Sequence, residues 1–198
     1  MQIESARARA MNETRNRILE VALEVLGRSP DAAMGDIAAA AGVVRRTVYG
    51  HFPTRADLVR TLAQHAVDEI AAVLAEVDVT DVAADAVWAD FVARLWPLTH
   101  RYRVLVTLRR GEYGEEIHAL LGPVDEALAG LVRRGQDSEV FGRHLPADVL
   151  SQIAYAAVFA IADNDPQGAL GPHAATITSL LTLGASEARA SALAAGQR

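Results

Sequence analysis

Four consecutive alanines, Ala38 to Ala41, run directly into Gly42 inside the stretch IAAAAGVVRRTVYGHF (37–52). No other segment restricts the fold as much. Alanines let two helices approach closely, and a glycine between them permits a tight turn that other residues resist. The spacing predicts a short helix over about 34–41, a turn at Gly42, and another short helix over 45–52 that leaves at an angle. That is the geometry of a helix-turn-helix. At about 100° per residue, Val48 and Phe52 share one stripe that must face a core. Arg46 and Gly50 then point away from that stripe, flanked by Thr47 and Tyr49. Such a face can reach base edges and phosphates in a major groove.

Helical spacing organises the rest of the chain. Ile18, Val21, Ala22, Val25 and Leu26 define a first helix that Asn12 or Thr14 can cap and that Gly27 and Ser29-Pro30-Asp31 end. Thr54 caps a long fourth helix over about 55–77, with Leu58, Leu62, Ala66, Ile70 and Val73 on one face. Further helices are expected at roughly 81–96, 98–110, 112–135, 147–164 and 173–184. Pro97 and Gly122-Pro123 are expected to mark bends, and the tail SALAAGQR to fray. No period-two alternation is long enough to propose a strand. The expected fold is all-α with about nine helices: a three-helix head, residues 1–54, on a helical body, residues 55–198.

Charge is distributed unevenly along these parts. The chain carries net −6, but residues 1–60 are net +2 and the remainder net −8. A mildly basic head on an acidic body suits a protein that touches nucleic acid with one end only. All 19 basic residues are arginine, a bias that GC-rich codon usage explains. Cysteine is absent, which excludes disulfides, thiolate nucleophiles and cysteine-ligated metals. The polar start lacks a signal core, and the apolar run Val149–Ala162 is too short to span a bilayer, so a cytoplasmic protein without membrane contact is expected.

Thr14 to Leu58, reading TRNRILEVALEVLGRS and then MGDIAAAAGVVRRTVYGHFPTRADL, resembles the DNA-binding region of the TetR family of repressors. The C-terminal part is similar to that family only in length and helical character. The resemblance implies that Arg45, Arg46 and Thr47 open the recognition helix and approach bases. It implies phosphate contacts at Tyr49, His51 and Arg55. Three positions depart from the pattern. Ala33 and Val44 stand where a hydroxyl residue often caps a helix, and Gly50 replaces a larger polar residue. Gly50 would let the backbone approach DNA, at a cost in helix stability of up to ~1 kcal/mol. Tyr49 and His51 also fit packing roles within the head.

In the body, Trp88, Phe91, Trp96, His100, Tyr113, Tyr155 and Phe159 fit either a plain core or an effector pocket, apolar with a few polar handles. The cluster Asp163, Asn164 and Asp165 fits a solvated helix end better than a cation site. Ile153, Ala157, Ile161, Ile177, Leu180 and Leu181 offer more apolar surface than one small domain buries, and a two-fold dimer would use it. The resemblance points to the same two helices. No metal or cofactor is expected: Glu115 and His118 form a single E-x-x-H pair, where a di-iron bundle needs two. The expected function is a repressor that binds a palindromic operator as a homodimer and is released by a small-molecule effector. An α-helical binder or enzyme with a vestigial helix-turn-helix is the alternative from another class, and an activator is a further one. The narrow basic face argues against a non-specific architectural protein.

Overall fold

The computed structural model describes residues 2–77, 81–108, 111–165 and 169–196, and the regular structure among them is entirely helical. In chain order the helices are α1 (Gln2–Arg28), α2 (Met34–Ala40), α3 (Arg45–His51), α4 (Arg55–Val77) and α5 (Ala84–Arg101). They continue as α6 (Arg103–Leu108), α7 (Gly114–Asp137), α8 (Ala147–Asp163), α9 (Gly171–Thr182) and α10 (Glu187–Ala195). The chain packs as two compact units. The first takes residues up to His65 together with Val104–Ile117; the second takes Ala66–Arg103 and the chain from His118 onward. The sequence reading divides the chain at 54/55; the packing instead draws the opening turns of α4 and the later segment 104–117 into the first unit.

The first unit is built on α1, whose Ile18, Ala22 and Leu26 are fully buried, with Ile37 of α2, Val48 of α3, Phe52, and Leu58 and Leu62 of α4. The turn between α2 and α3 depends on Gly42 at φ +66°. There the Val43 N–H bonds the Ala38 carbonyl at 3.0 Å and the Gly42 N–H bonds the Ala39 carbonyl at 3.2 Å. This pair of bonds closes the helix end and requires a left-handed residue, which is why glycine stands there. α4 starts on a reciprocal cap. Thr54 Oγ1 accepts from the Asp57 N–H at 3.0 Å, while Asp57 Oδ2 accepts from the Thr54 N–H at 3.0 Å.

The second unit encloses one continuous core. Trp88, Phe91, Val92 and Leu95 of α5 meet Leu128 and Val132 of α7, Leu150, Ala154 and Val158 of α8, Leu180 of α9 and Ala190 of α10. The Trp88 Nε1–H donates to Ser179 Oγ at 3.0 Å, so the indole's one polar atom is satisfied inside the core. Asp85, 2% exposed, receives two hydrogen bonds from Arg189, at 2.7 and 3.2 Å, and ties α10 to α5. The hydrogen bonds and charge of Asp85 raise the Arg189 pKa further. A raised pKa on a cation stabilises the fold below the unfolded value, so Arg189 stays charged, and the link stays intact, on that side throughout the neutral range.

Four differences from the sequence expectations have physical causes. α1 begins near Gln2 rather than at Asn12 or Thr14, because the preceding residues are mostly good helix formers. Thr14 Oγ1 donates back to the Ala10 carbonyl at 2.9 Å inside the helix instead of capping it. Pro97 lies inside α5 rather than between two helices, and Pro123 lies inside α7, within the helix expected at 112–135. Both rings are exposed, and buried residues on either side (Trp96 and Thr99, Val124 and Leu128) offset the ~3 kcal/mol an internal proline costs. The helix expected at 98–110 is reduced to α6, and its expected last two positions lie outside the described residues. Finally, the tail forms α10, capped by Ser186 Oγ accepting from the Arg189 N–H at 3.3 Å and anchored by buried Ala190 and Ala194. Among the described residues, no helix is long and apolar enough to cross a membrane.

Candidate functional site

α3 is seven residues long and buries only Val48. Arg45, Arg46, Tyr49 and Gly50 are exposed, while Thr47 and His51 are half-buried. The outward direction of Arg46 and Gly50 thus follows from the stripe that Val48 and Phe52 bury. Neither Arg45 nor Arg46 has a hydrogen bond or ion pair among the described residues, so both present their full set of donors. A Cβ built on Gly50 would meet nothing within 4 Å, so no internal contact demands a glycine there. The two caps foreseen as missing have no side-chain bond at Ala33 or Val44. Asp36 Oδ2 compensates at α2 by accepting the Ala33 N–H at 2.9 Å. Val44 is left 69% exposed at the start of α3, an apolar side chain beside two arginines.

Arg55 departs from its expected place. Its Nη1 donates to the Tyr113 hydroxyl at 2.9 Å, its Nη2 to the Pro30 carbonyl, and its Cζ stands 5.5 Å from the centre of the Tyr113 ring. The guanidinium is thus engaged within the chain by a carbonyl, a hydroxyl and a π face, unlike those of Arg45 and Arg46. Tyr113 is corrected by the same contact. It belongs to the first unit, packed on Arg55, and not with the aromatic residues of the second. Nearby, Arg60 Nε bonds Glu116 Oε1, a second link between α4 and the segment 104–117 within that unit. No local pattern signals either pair, because the partners lie 58 and 56 residues apart.

The remaining rings of the expected pocket fall into two groups in the second unit. Trp88, Phe91, Tyr155 and Phe159 form a chain: Trp88 edge-on to Phe91 at 6.1 Å, Phe91 stacked with Tyr155 at 6.4 Å, and Tyr155 edge-on to Phe159 at 4.9 Å. Trp96 and His100 form a separate pair, edge-on at 4.8 Å. Trp88 and Phe91 are fully enclosed, whereas His100 and Phe159 are half-buried. His100 Nδ1 lies 3.3 Å from the Trp96 carbonyl, and its Nε2 is buried with no partner among the described residues. A separate apolar recess of about 200 Å³ is lined by Ala71, Leu74 and Ala75 of α4 and Pro123, Val124 and Ala127 of α7. Leu74 and Val124 belong to the same core cluster as Trp96 and Tyr155. The acidic cluster serves the chain itself: Asp165 accepts the Ala169 and Leu170 N–H groups at 2.8 and 2.7 Å.

On α8 and α9 the expected interface residues divide. Ile153 and Leu181 are 46% and 43% exposed, joined by Val149 at 40%. Ala157, Ile161 and Ile177 are half-buried. Leu180 is a correction: it is fully buried in the chain's own core, about 100° round α9 from the exposed Leu181.

A helix-turn-helix with an unpaired arginine face, in an otherwise all-helical chain, defines the class as a helix-turn-helix protein with a helical second unit. The sequence model of the tetR family of bacterial regulatory proteins matches residues 18–62. The HTH-type transcriptional repressor LfrR of Mycolicibacterium smegmatis is 48% identical over 77 residues, a match spanning 39% of this chain and 41% of that repressor. The sequence match therefore covers less than half of that relative's length. The crystal structure of the TetR-like regulator LfrR from Mycobacterium smegmatis in complex with proflavine superposes with a TM-score of 0.70 at 30% identity, covering 88% of this chain and 96% of that one. PfmR, a TetR family regulator from Thermus thermophilus, shares the fold at a TM-score of 0.71 and 18% identity, covering 85% and 98% of the two chains. The chain belongs to the TetR family of bacterial regulatory proteins.

Proposed function

We propose that this chain is a cytoplasmic transcriptional repressor that binds a palindromic operator as a homodimer and lets it go when a small molecule binds the second unit. The observation that carries the reading is the outward face of α3, where Arg46 and Tyr49 are exposed and have no hydrogen bond or ion pair among the described residues. Arg46 would read a base edge, bidentate to a guanine, with Thr47 beside it, while Tyr49 fixes the register on a phosphate. Two copies joined through the exposed stripe Val149, Ile153 and Leu181 would place two such faces on successive major grooves.

The effector is proposed to be a planar aromatic molecule. LfrR was solved with proflavine, and Trp96 with the unpartnered Nε2 of His100 offers this chain a ring face and one polar handle. α4 gives the coupling a covalent route, since residues 55–65 belong to the first unit and residues 66–77 to the second. Linkage makes DNA and effector weaken each other by the same factor.

The test uses the purified full chain. It is allowed to enrich duplexes from a randomised pool, and the enriched duplex is then titrated with proflavine as a first probe. The reading expects an inverted repeat to be enriched and proflavine to release it, with tryptophan fluorescence changing over the same concentrations. A chain that enriches no sequence overturns the repressor reading. Release without saturable binding to the protein overturns the effector reading alone.

A further inference from the structure

Arg45 occupies the first position of α3 yet does not share its outward face. At about 100° per residue, it lies about 60° from the buried Val48 direction, whereas Arg46 lies about 160° from it. Its guanidinium accordingly folds back across the turn onto α2. A Cβ built on Gly35 would fall 2.5 Å from Arg45 Nη2, 2.6 Å from Nε and 2.8 Å from Cζ. Cζ is the farthest of the three, so the Nε–Nη2 edge of the group occupies the space a side chain at 35 would fill. Asp36, the carboxylate next to Gly35, is engaged with the Ala33 N–H instead. Arg45 remains exposed, with no hydrogen bond or ion pair among the described residues. The cation lies over Gly35 with no partner of its own, in contrast to Arg55.

We infer that Gly35 is a positioning residue, a flat seat that holds Arg45 as a clamp for a backbone phosphate at the wall of the groove. This rests on the operator-binding reading above and refines it. The resemblance implied a base contact for Arg45; its flank position leaves base reading to Arg46 and gives Arg45 the phosphate. A forked guanidinium suits a phosphate, and one already seated loses less freedom when it binds. The seat exists because residue 35 has no side chain. An alanine there meets only the mobile end of Arg45, so α2 keeps its fold while the guanidinium loses its place.

The experiment titrates the full chain, Gly35→Ala, Arg45→Ala and the double variant with the duplex the native chain enriches and with a scrambled duplex, across a range of salt. Gly35→Ala is expected to keep a thermal midpoint at or above the native one, since alanine is the better helix former. It should weaken binding to both duplexes alike by about tenfold, the size of one charge-assisted contact, and lower the salt slope by about one. The double variant should bind no more weakly than Arg45→Ala, because the glycine acts only through the arginine. Additive losses, a loss confined to the enriched duplex, native affinity in Gly35→Ala, or an unfolded Gly35→Ala would each overturn the seat. A native chain that enriches no duplex is a different failure, visible before any variant is made, and removes the operator reading together with this one.

Discussion

The two units leave opposite things unsatisfied. In the first, apolar side chains are well buried but two arginines on the exposed side of α3 and its flank have no counter-charge among the described residues. In the second, several arginines are answered from within: Arg189 bonds the buried Asp85, Arg101 bonds Glu69 at 3.1 Å, and Arg94 bonds Asp90 at 3.1 Å and Glu76 at 3.3 Å. What the second unit leaves open is apolar, the stripe of Val149, Ile153 and Leu181. A surface short of negative charge asks for a polyanion, and a surface with surplus apolar area asks for another apolar surface. The partners proposed for this chain, DNA for one unit and a second copy for the other, follow from that difference.

The largest effect belongs to the interior of the second unit. Trp88→Ala removes an enclosed indole and its bond to Ser179, and should cost about 3–5 kcal/mol in urea unfolding. A loss below about 1 kcal/mol would mean the ring lines a cavity rather than a core. Next is the apolar stripe. Ile153→Asp with Leu181→Asp should give a folded monomer by light scattering, with operator affinity down on the order of a hundredfold through lost bivalency. Leu180→Asp, one residue away but inside the core, should unfold the chain instead.

Smaller effects are expected on the charged face. Arg46→Ala should cost about 1–3 kcal/mol on the enriched duplex and relax preference at one base per half-site, read by repeating the enrichment. Gly50→Ala is the smallest. It should stabilise α3 by up to about 1 kcal/mol, because the added Cβ meets no atom of the chain, while weakening operator binding less than Arg46→Ala does. If Gly50→Ala raised both stability and affinity, close backbone approach to DNA would be the wrong account of that glycine.

What the sequence made legible was local. Gly42 is needed by a turn that closes within six residues, and Thr54 by a cap that reaches three residues ahead, so both could be read from neighbouring letters. The direction of Arg46 followed from Val48 and Phe52 by angle alone. Features decided by distant partners were hidden. Arg55 turns inward because Tyr113 waits 58 residues along the chain, and α10 holds partly because Arg189 finds Asp85 across 104 residues. Leu180 and Leu181 are chemically identical, and only the packing of α9 decides which one is core. Pro97 misled for a related reason. A proline reads as a break in isolation, whereas burial of Trp96 and Thr99 around Pro97 carries the helix past it.

The central claim is that two copies of this chain, joined through α8 and α9, present two α3 faces to one operator. Sedimentation of the full chain with the duplex it enriches measures this most directly. The account predicts a complex of two chains, or a whole multiple of two, on a duplex whose half-sites are about one helical turn apart, or a multiple of that. The same mixture made with the Ile153→Asp, Leu181→Asp variant should contain only free duplex at that concentration. A stable complex of one native chain per duplex, or a variant that still binds as a pair, would contradict it.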